Sequence, residues 1–559
     1  MHAHVPLARK KAKTGCKTCK IRRVKCDESR PACQRCVSTS RVCDGYGIWG
    51  GGGSPYGKPE SNRALSIYCT PVPAGNLSHE EQLCFDWLIR RTAKKFAGLF
   101  PSDFWETLIF QASAQEPAVR HAIIALSSAH RFQTRYASGS NQYDECFTLR
   151  QYNKAIQHLR IITTNNSYSL RVALTTCMLF IILEYMRGQY QVGNAHLQYG
   201  MKLLSNMSMP RSPLSMVPTI RDPEEDFAYN ALVDAYIGLG IHSAMFGHLP
   251  SHVYLVTKDP RTTSLPYAFS SLLEARRSLD DLLSRVHCLK KYYHDHHASQ
   301  TPTSNQQMLN TQNVLLADLS LWRKTYIISV ARLKTNKMSG KDKTGYLLLR
   351  VHHEMATIMA SVCLSAEETE SELEFDKYTG NFVKIMSGFL DIWKIWTATA
   401  FNKEDFFKLA TAPNDLKAIF QDFNTMSGFT VEMGYIPPVY YTALKCRVPR
   451  IRRQAVRALR AAPHREGVWN GSILANILEE VIRVEEGDFY AGNVRVNSSV
   501  GYILPENEDL AMPKVPAEAR VSDVRVLLPD NVGGDTYFSY RKRAADGQWV
   551  TFKREIGGI

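Results

Sequence analysis

The sequence predicts a small metal-centred domain at the N-terminus, a flexible linker, a large all-α domain and a small C-terminal β appendage. Three observations carry this reading. Six of the thirteen cysteines crowd into residues 16–43, with lysines and arginines threaded between them. A glycine-rich stretch, DGYGIWGGGGSPYGKP, follows at once. From residue 78 to about 490, apolar residues recur with helical spacing, after which the pattern turns to strand-like alternation.

At 559 residues the chain has room for more than one folding unit, and its 44% hydrophobic and 10% aromatic content is that of a globular protein. The net charge of +15 is uneven. Residues 1–60 hold thirteen Lys or Arg against four Asp or Glu, or +9 of the total. A basic end on a nearly neutral body points to a polyanionic partner. The opening MHAHVPLARKKAKTG lacks an apolar segment and does not read as a secretory signal; residues 1–13 read as a basic, disordered tail. The longest apolar run, LTTCMLFIIL at 174–183, is ten residues, whereas a membrane span takes about twenty. It reads as a buried core helix, and no membrane partner is expected. The thiols then belong in a reducing compartment, where a disulfide framework is disfavoured.

The first domain, residues 14–46, is built on the spacing Cys16-x2-Cys19-x6-Cys26-x6-Cys33-x2-Cys36-x6-Cys43. Each zinc takes four ligands. One zinc would strand two sulfurs, and two separate sites would need eight. Two Zn2+ sharing two sulfurs need six. The pseudo-repeat makes the first cysteine of each half, Cys16 and Cys33, the symmetric choice for bridging. His2 and His4 could instead complete two separate sites, but they lie twelve or more residues away in the tail. A metal buffer would also be cysteine-dense, yet it would need neither the arginines nor the long body. Six thiolates and two Zn2+ leave a charge of about −2, which the twelve Lys or Arg of residues 9–41 reverse. In the insert Lys20-Ile21-Arg22-Arg23-Val24-Lys25, the two apolar residues are three apart and can pack together, leaving the cations outward.

This stretch resembles the fungal-type binuclear zinc cluster, a two-zinc, six-cysteine DNA-binding module. The match covers every cysteine, RRVKCD (22–27), Pro31 and CDGY (43–46). The resemblance implies bridging by Cys16 and Cys33, double-stranded DNA as partner, and a first short helix whose end faces the major groove. It also implies that Arg22 and Arg23 read bases, typically at a CGG-like triplet. Arginine forks suit guanine edges, whereas Lys17, Lys20 and Lys25 are better suited to phosphate. RKKAK (9–13) also suits nuclear import.

Residues 47–77 read as a flexible linker with Gly and Pro. Relatives often carry a coiled coil just after it; no sustained heptad occurs here before residue 78, which leaves dimerisation open, through the large domain if at all. That domain, 78–490, starts at a capping box, Ser78 to Glu81. Helical patterns follow at 116–132, 151–163, 170–188, 192–207, 313–334 and 379–396. Short connections argue for antiparallel packing. The stretches 98–132 and 449–486 resemble the fungal-specific transcription factor domain, which implies a regulatory rather than a catalytic body. In 491–559, VSDVRVLLP, DTYFSYRKR and GQWVTFKRE read as strands.

Several constellations imitate sites. HHEMATIM (352–359) has threonine where a zincin needs its second histidine, and reads as ordinary helix. HDHH (294–297) reads as a solvated cluster before a polar loop, ASQTPTSNQQ. AEETESELEFD (366–376) is either an acidic activation segment or a charged loop. The expected function is a nuclear, sequence-specific regulator of RNA polymerase II genes that meets transcription machinery or coregulators. A pathway-specific metabolic role, including control of a secondary-metabolite cluster, is the expected context. The alternative is a helical metabolite sensor or enzyme that uses the zinc module only as a nucleic-acid tether. No catalytic residues are assigned.

Overall fold

The computed structural model describes residues 17–22, 24–27, 33–39, 77–135, 142–161, 167–208, 223–246, 265–296, 302–333, 338–364, 372–400, 429–462, 464–493, 496, 504–528, 535–544 and 546–556. It divides into two compact units, Met1–Thr70 and Pro71–Ile559. The linker up to residue 76 lies outside the described residues, so the expected absence of a coiled coil there is not addressed.

In the smaller unit, α1 (Lys17–Arg22) and α2 (Gln34–Val37) are short and pack on each other. The larger unit opens with α3 (His79–Trp87), whose capping box is formed as the sequence predicts. Glu81 N–H donates to Ser78 Oγ at 3.3 Å, and Ser78 N–H donates to the Glu81 carboxylate at 2.9 Å. Glu81 also accepts from Gln151 Nε2 at 2.7 Å and pairs with Lys154 at 3.2 Å. Burial alone would raise its pKa, but the Ser78 N–H, Gln151 and Lys154 together hold it down to about 2. A depressed carboxylate contributes stability above its unfolded pKa and loses it as pH falls through the folded value. The denaturant midpoint should therefore drop as pH falls from about 4.5 towards 2, and Glu81→Gln should flatten that limb. An unchanged acid limb in Glu81→Gln would refute the assignment.

Helices α4 (Ala93–Phe96), α5 (Ile109–Gln115), α6 (Pro117–Arg135), α7 (Gln142–Ile161), α8 (Ser167–Arg187) and α9 (Tyr190–Ser208) follow. Pro117 begins α6, where its missing N–H costs nothing. Helix α8 contains the 174–183 run. By length and composition it could cross a membrane, but it is largely buried against α6, α9 and α10 (Pro223–Met245), with Leu174, Leu179, Ile181 and Ile182 wholly enclosed. Gly188, at φ 78°, makes the sharp turn into α9. Gly200 of α9 faces the ring of Tyr236 on α10; a Cβ there would come within 2.4 Å of it.

The body continues through α11 (Leu272–His296), α12 (Pro302–Leu333), α13 (Gly340–Val362) and α14 (Thr379–Ala400). Helix α12 starts eleven residues before the expected 313, at a proline suited to a first helical position, so much of ASQTPTSNQQ is helix rather than loop. Helices α15 (Ile436–Lys445), α16 (Pro449–Arg460) and α17 (Gly471–Glu486) close the body. Between them lies a small sheet that the sequence did not suggest, β1 (Phe429–Thr430), β2 (Arg465–Glu466) and β3 (Trp469–Asn470), with β1 parallel and β3 antiparallel to β2.

The C-terminal sheet has the expected strands: β4 (Val521–Leu527), β5 (Thr536–Arg543) and β6 (Trp549–Ile556), antiparallel in that order. Gly547, at φ 84°, supplies the turn into β6. The sheet is more than an appendage, because Val521, Val526, Phe538 and Tyr540 belong to the same core as the helices.

Candidate zinc site and nucleic-acid interface

Among its described residues, the smaller unit has almost no apolar side chains to fold around. Its buried centre is Cys19, Cys26, Cys33 and Cys36, with Val24 packed against them. Cys19, Cys33 and Cys36 are fully enclosed. Helix α1 brings in Cys19, the extended segment 24–27 brings in Cys26, and α2 carries Cys36 just after Cys33 at its N-cap. Asp27 fixes the second half against the first. Its carboxylate accepts from Gln34 N–H at 3.0 Å and Arg35 N–H at 2.8 Å. Asp27 lies inside the quoted RRVKCD motif, but its capping role could not be read without knowing that α2 starts at Gln34.

Four zinc-bound thiolates sit about 3.8 Å apart along each tetrahedral edge, given Zn–S bonds near 2.3 Å. The Cys19 and Cys33 Sγ atoms are 3.6 Å apart, and those of Cys19 and Cys36 are 3.9 Å apart. The sulfurs of Cys19, Cys26 and Cys33 all lie within 4.8 Å of one another. These separations are far too long for a disulfide, and that between Cys19 and Cys33 fits two thiolates on one zinc. Cys33, from the second half of the motif, thus sits among the ligands of the first. The Cys36 N–H donates to its sulfur at 3.3 Å.

Cys16, Cys43, Arg23 and Pro31 lie outside the described residues, as do the side chains of Lys17, Lys20 and Ile21. Arg22 is half-buried, and its guanidinium donates to Thr39 Oγ1 at 3.2 Å. Thr39 in turn donates to the Arg35 carbonyl at 2.9 Å. Lys25 is exposed.

The remaining constellations resolve into structure. His352 and His353 lie on α13, where His352 Nε2 bonds the Gly434 carbonyl at 2.7 Å and His353 Nε2 the Leu319 carbonyl at 2.9 Å. Both are core histidines, as the ordinary-helix reading expects. His294 and Asp295 are exposed near the end of α11. The acidic run is neither a free activation segment nor a solvated loop at its C-terminal end. Glu372 is 3% exposed and pairs with Lys445 and with Arg447, the latter at 3.0 Å. Asp376 pairs with Arg520 at 2.8 Å, and Phe375 is in the core.

A zinc-centred N-terminal module followed by a helical body is the architecture of a DNA-binding regulator, and the comparisons with known proteins agree. Residues 14–48 match the fungal Zn(2)-Cys(6) binuclear cluster domain, which binds two zinc ions, and residues 96–364 match the fungal specific transcription factor domain. The chain thus carries both domains of the fungal Zn(2)-Cys(6) transcription regulators. Among its relatives is the aspercryptin biosynthesis cluster-specific transcription regulator atnN of Emericella nidulans, 30% identical over 36% of this chain and 35% of that one. The transcription regulator lscL of Purpureocillium lilacinum is 28% identical over 33% of this chain and 47% of its own. A Zn(2)-C6 fungal-type transcription factor, afumD, of Aspergillus fumigatus is 63% identical over 22% of this chain and 34% of its own. The matches thus span from about a third to just under half of these relatives' lengths. No solved structure matches. The family and these relatives are transcription regulators, not enzymes.

Proposed function

We propose that the chain is a nuclear, sequence-specific DNA-binding regulator of RNA polymerase II genes that reads a CGG-like triplet. The observation that carries this reading is the enclosed sulfur cluster, spaced for zinc and flanked by a strongly basic insert. The proposed ligand set is Cys16, Cys19, Cys26, Cys33, Cys36 and Cys43, with Cys16 and Cys33 shared. The place of Cys33 among first-half sulfurs supports its bridging role. Bound zinc supplies the rigid core; the chain's own side chains do the recognition. Arg22 and Arg23 are the proposed base readers, and Lys17, Lys20 and Lys25 the phosphate contacts. Thr39 orients the Arg22 guanidinium through its hydrogen bond. Coregulators or transcription machinery are the proposed partners of the helical body. The relative named for a biosynthesis cluster supports a pathway-specific metabolic role, with secondary metabolism as the first place to look.

Fluorescence anisotropy with full-length protein tests the division of labour. Arg23→Ala should relax preference for a CGG duplex over a scrambled one by about 1–3 kcal/mol. Lys20→Ala should weaken both duplexes alike and lower the salt slope by about one. Equal effects of the two substitutions would refute separate readers and positioners. Genome-wide occupancy of tagged protein would then name the pathway, and absence of promoter peaks under several growth conditions would overturn the regulatory reading.

A further inference from the structure

Thr39 lies in the turn that follows α2, and its side chain is exposed. Its hydroxyl nevertheless has partners on both sides. It donates to the Arg35 carbonyl at 2.9 Å, with the Cys36 carbonyl at 3.2 Å, and it accepts from Arg22 Nη1 at 3.2 Å. Arg22 belongs to the first half of the cysteine pseudo-repeat and Thr39 to the second. An exposed threonine is ordinary by itself. This one places its oxygen on the guanidinium proposed to read bases, so a charge added to that oxygen is felt there first. The sequence around it, QRCVSTSRVC (34–43), sets Arg35 four residues before and Arg41 two residues after. Basic flanks of this kind are the charge pattern by which kinases that prefer basic substrates choose a hydroxyl.

We propose that Thr39 Oγ1 is a phosphorylation site and that its phosphate switches off DNA binding by capturing Arg22. The inference rests on the base-reading role given to Arg22 above. A serine/threonine kinase transfers the γ-phosphoryl group of ATP to the hydroxyl. The bond from Oγ1 to phosphorus forms and the bond from that phosphorus to the bridging oxygen of ADP breaks. ADP leaves, and the hydroxyl proton passes to a base of the kinase. The product carries about two negative charges and lacks the hydrogen that Thr39 now donates. Its anionic oxygens are repelled by the Arg35 and Cys36 carbonyls, so those two contacts are lost. Arg22 is the partner that gains. Its planar fork suits a phosphate as well as a guanine edge, and it cannot hold both. The phosphate also stands in a module that approaches DNA through positive charge, with twelve Lys or Arg in residues 9–41. Loss of one arginine–guanine fork costs about 5- to 150-fold, and repulsion from the DNA backbone adds to it.

The test compares full-length, zinc-loaded protein carrying phosphothreonine at position 39 with the same preparation after phosphatase treatment, by anisotropy on CGG and scrambled duplexes. The dephosphorylated form should prefer the CGG duplex; if it does not, the base-reading role fails and the switch falls with it. Given that preference, the phosphorylated form should bind the CGG duplex about 100-fold more weakly. Equal affinity of the two forms overturns the switch alone. In Arg22→Ala the penalty of the phosphate should shrink by about fivefold or more, because no fork is left to capture. An undiminished penalty there overturns capture by Arg22. Zinc content should stay at two per chain in both forms. Loss of metal on phosphorylation would mean an unfolded module and would overturn the proposal too. Peptide mass spectrometry of protein isolated from its own cells should place phosphate on Thr39 rather than on Ser38 or Ser40. Its absence from Thr39 across growth conditions removes the site.

Discussion

Cys26→Ala is expected to strip the N-terminal module of bound zinc, unfold it, and abolish specific DNA binding, while the helical body unfolds as before. The physical reason is that, among the described residues, the apolar core of the module consists of four cysteines, with Val24 packed on them. Structural zinc supplies about 10–16 kcal/mol of apparent binding energy to such modules, which is also their folding energy. Removing Cys26 takes one sulfur from the three-sulfur group with Cys19 and Cys33. A metal with an incomplete thiolate shell cannot hold α1 and α2 together. Specific affinity should fall about 10³-fold or more, towards the non-specific level. Metal analysis should show a drop from two zincs per chain. Cys146→Ala, at an exposed cysteine remote in sequence from the cluster, should change neither number. Retention of two zincs and full affinity by Cys26→Ala would remove it from the ligand set. Because the module and the body are separate compact units, the body's thermal transition should not move.

The zinc module was legible because its chemistry is local. Ligand spacing of two and six residues needs no knowledge of the rest of the chain. The capping box at Ser78 and the strands around Gly547 were legible for the same reason. Other elements were not. Helix α10 reads ALVDAYIGLGIHSAM, apolar on nearly every side because it is enclosed, so it lacks the polar face that marks a surface helix. Strands of two residues, such as β2, are too short to show alternation. Least legible were the ion pairs of the body, whose members lie far apart along the chain: Arg447 with Glu372, and Arg520 with Asp376. An acidic run reads as solvated until the arginines that bury it are known. Asp27, by contrast, sat in plain view inside a quoted motif, and only its hydrogen bonds gave it a role.

Glu485→Ala is expected to destabilise the body by about 3–5 kcal/mol, as the loss of one member of a buried ion cluster does. Glu485 has no exposed side-chain surface, and neither do its partners Arg447 and Arg452. Arg447 approaches it at 2.8 Å and Arg452 at 2.7 Å, and its carboxylate also accepts the Val521 N–H at 2.9 Å. One carboxylate thus joins α16, α17, the turn before α16 and the first residue of β4. Burial pushes its pKa up, but the two guanidiniums outweigh burial and hold it below the usual carboxylate value. This contribution is therefore present at neutral pH and is lost as pH falls below the ordinary glutamate range. Alanine would leave two enclosed cations that have lost their shared partner, with Glu372 on Arg447 and Glu486, 4.0 Å away, on Arg452. The cluster is not perfectly satisfied even in the native protein, since Arg452 Nη2 has no hydrogen-bond partner among the described residues. An apolar triple replacement, Arg447→Met with Arg452→Leu and Glu485→Leu, should therefore recover much of the loss, because no enclosed charge is left stranded by it. Denaturant midpoints of the single and triple variants decide the matter. A single variant as stable as the parent would mean that water reaches the arginines, and that the sheet is held by its apolar face alone.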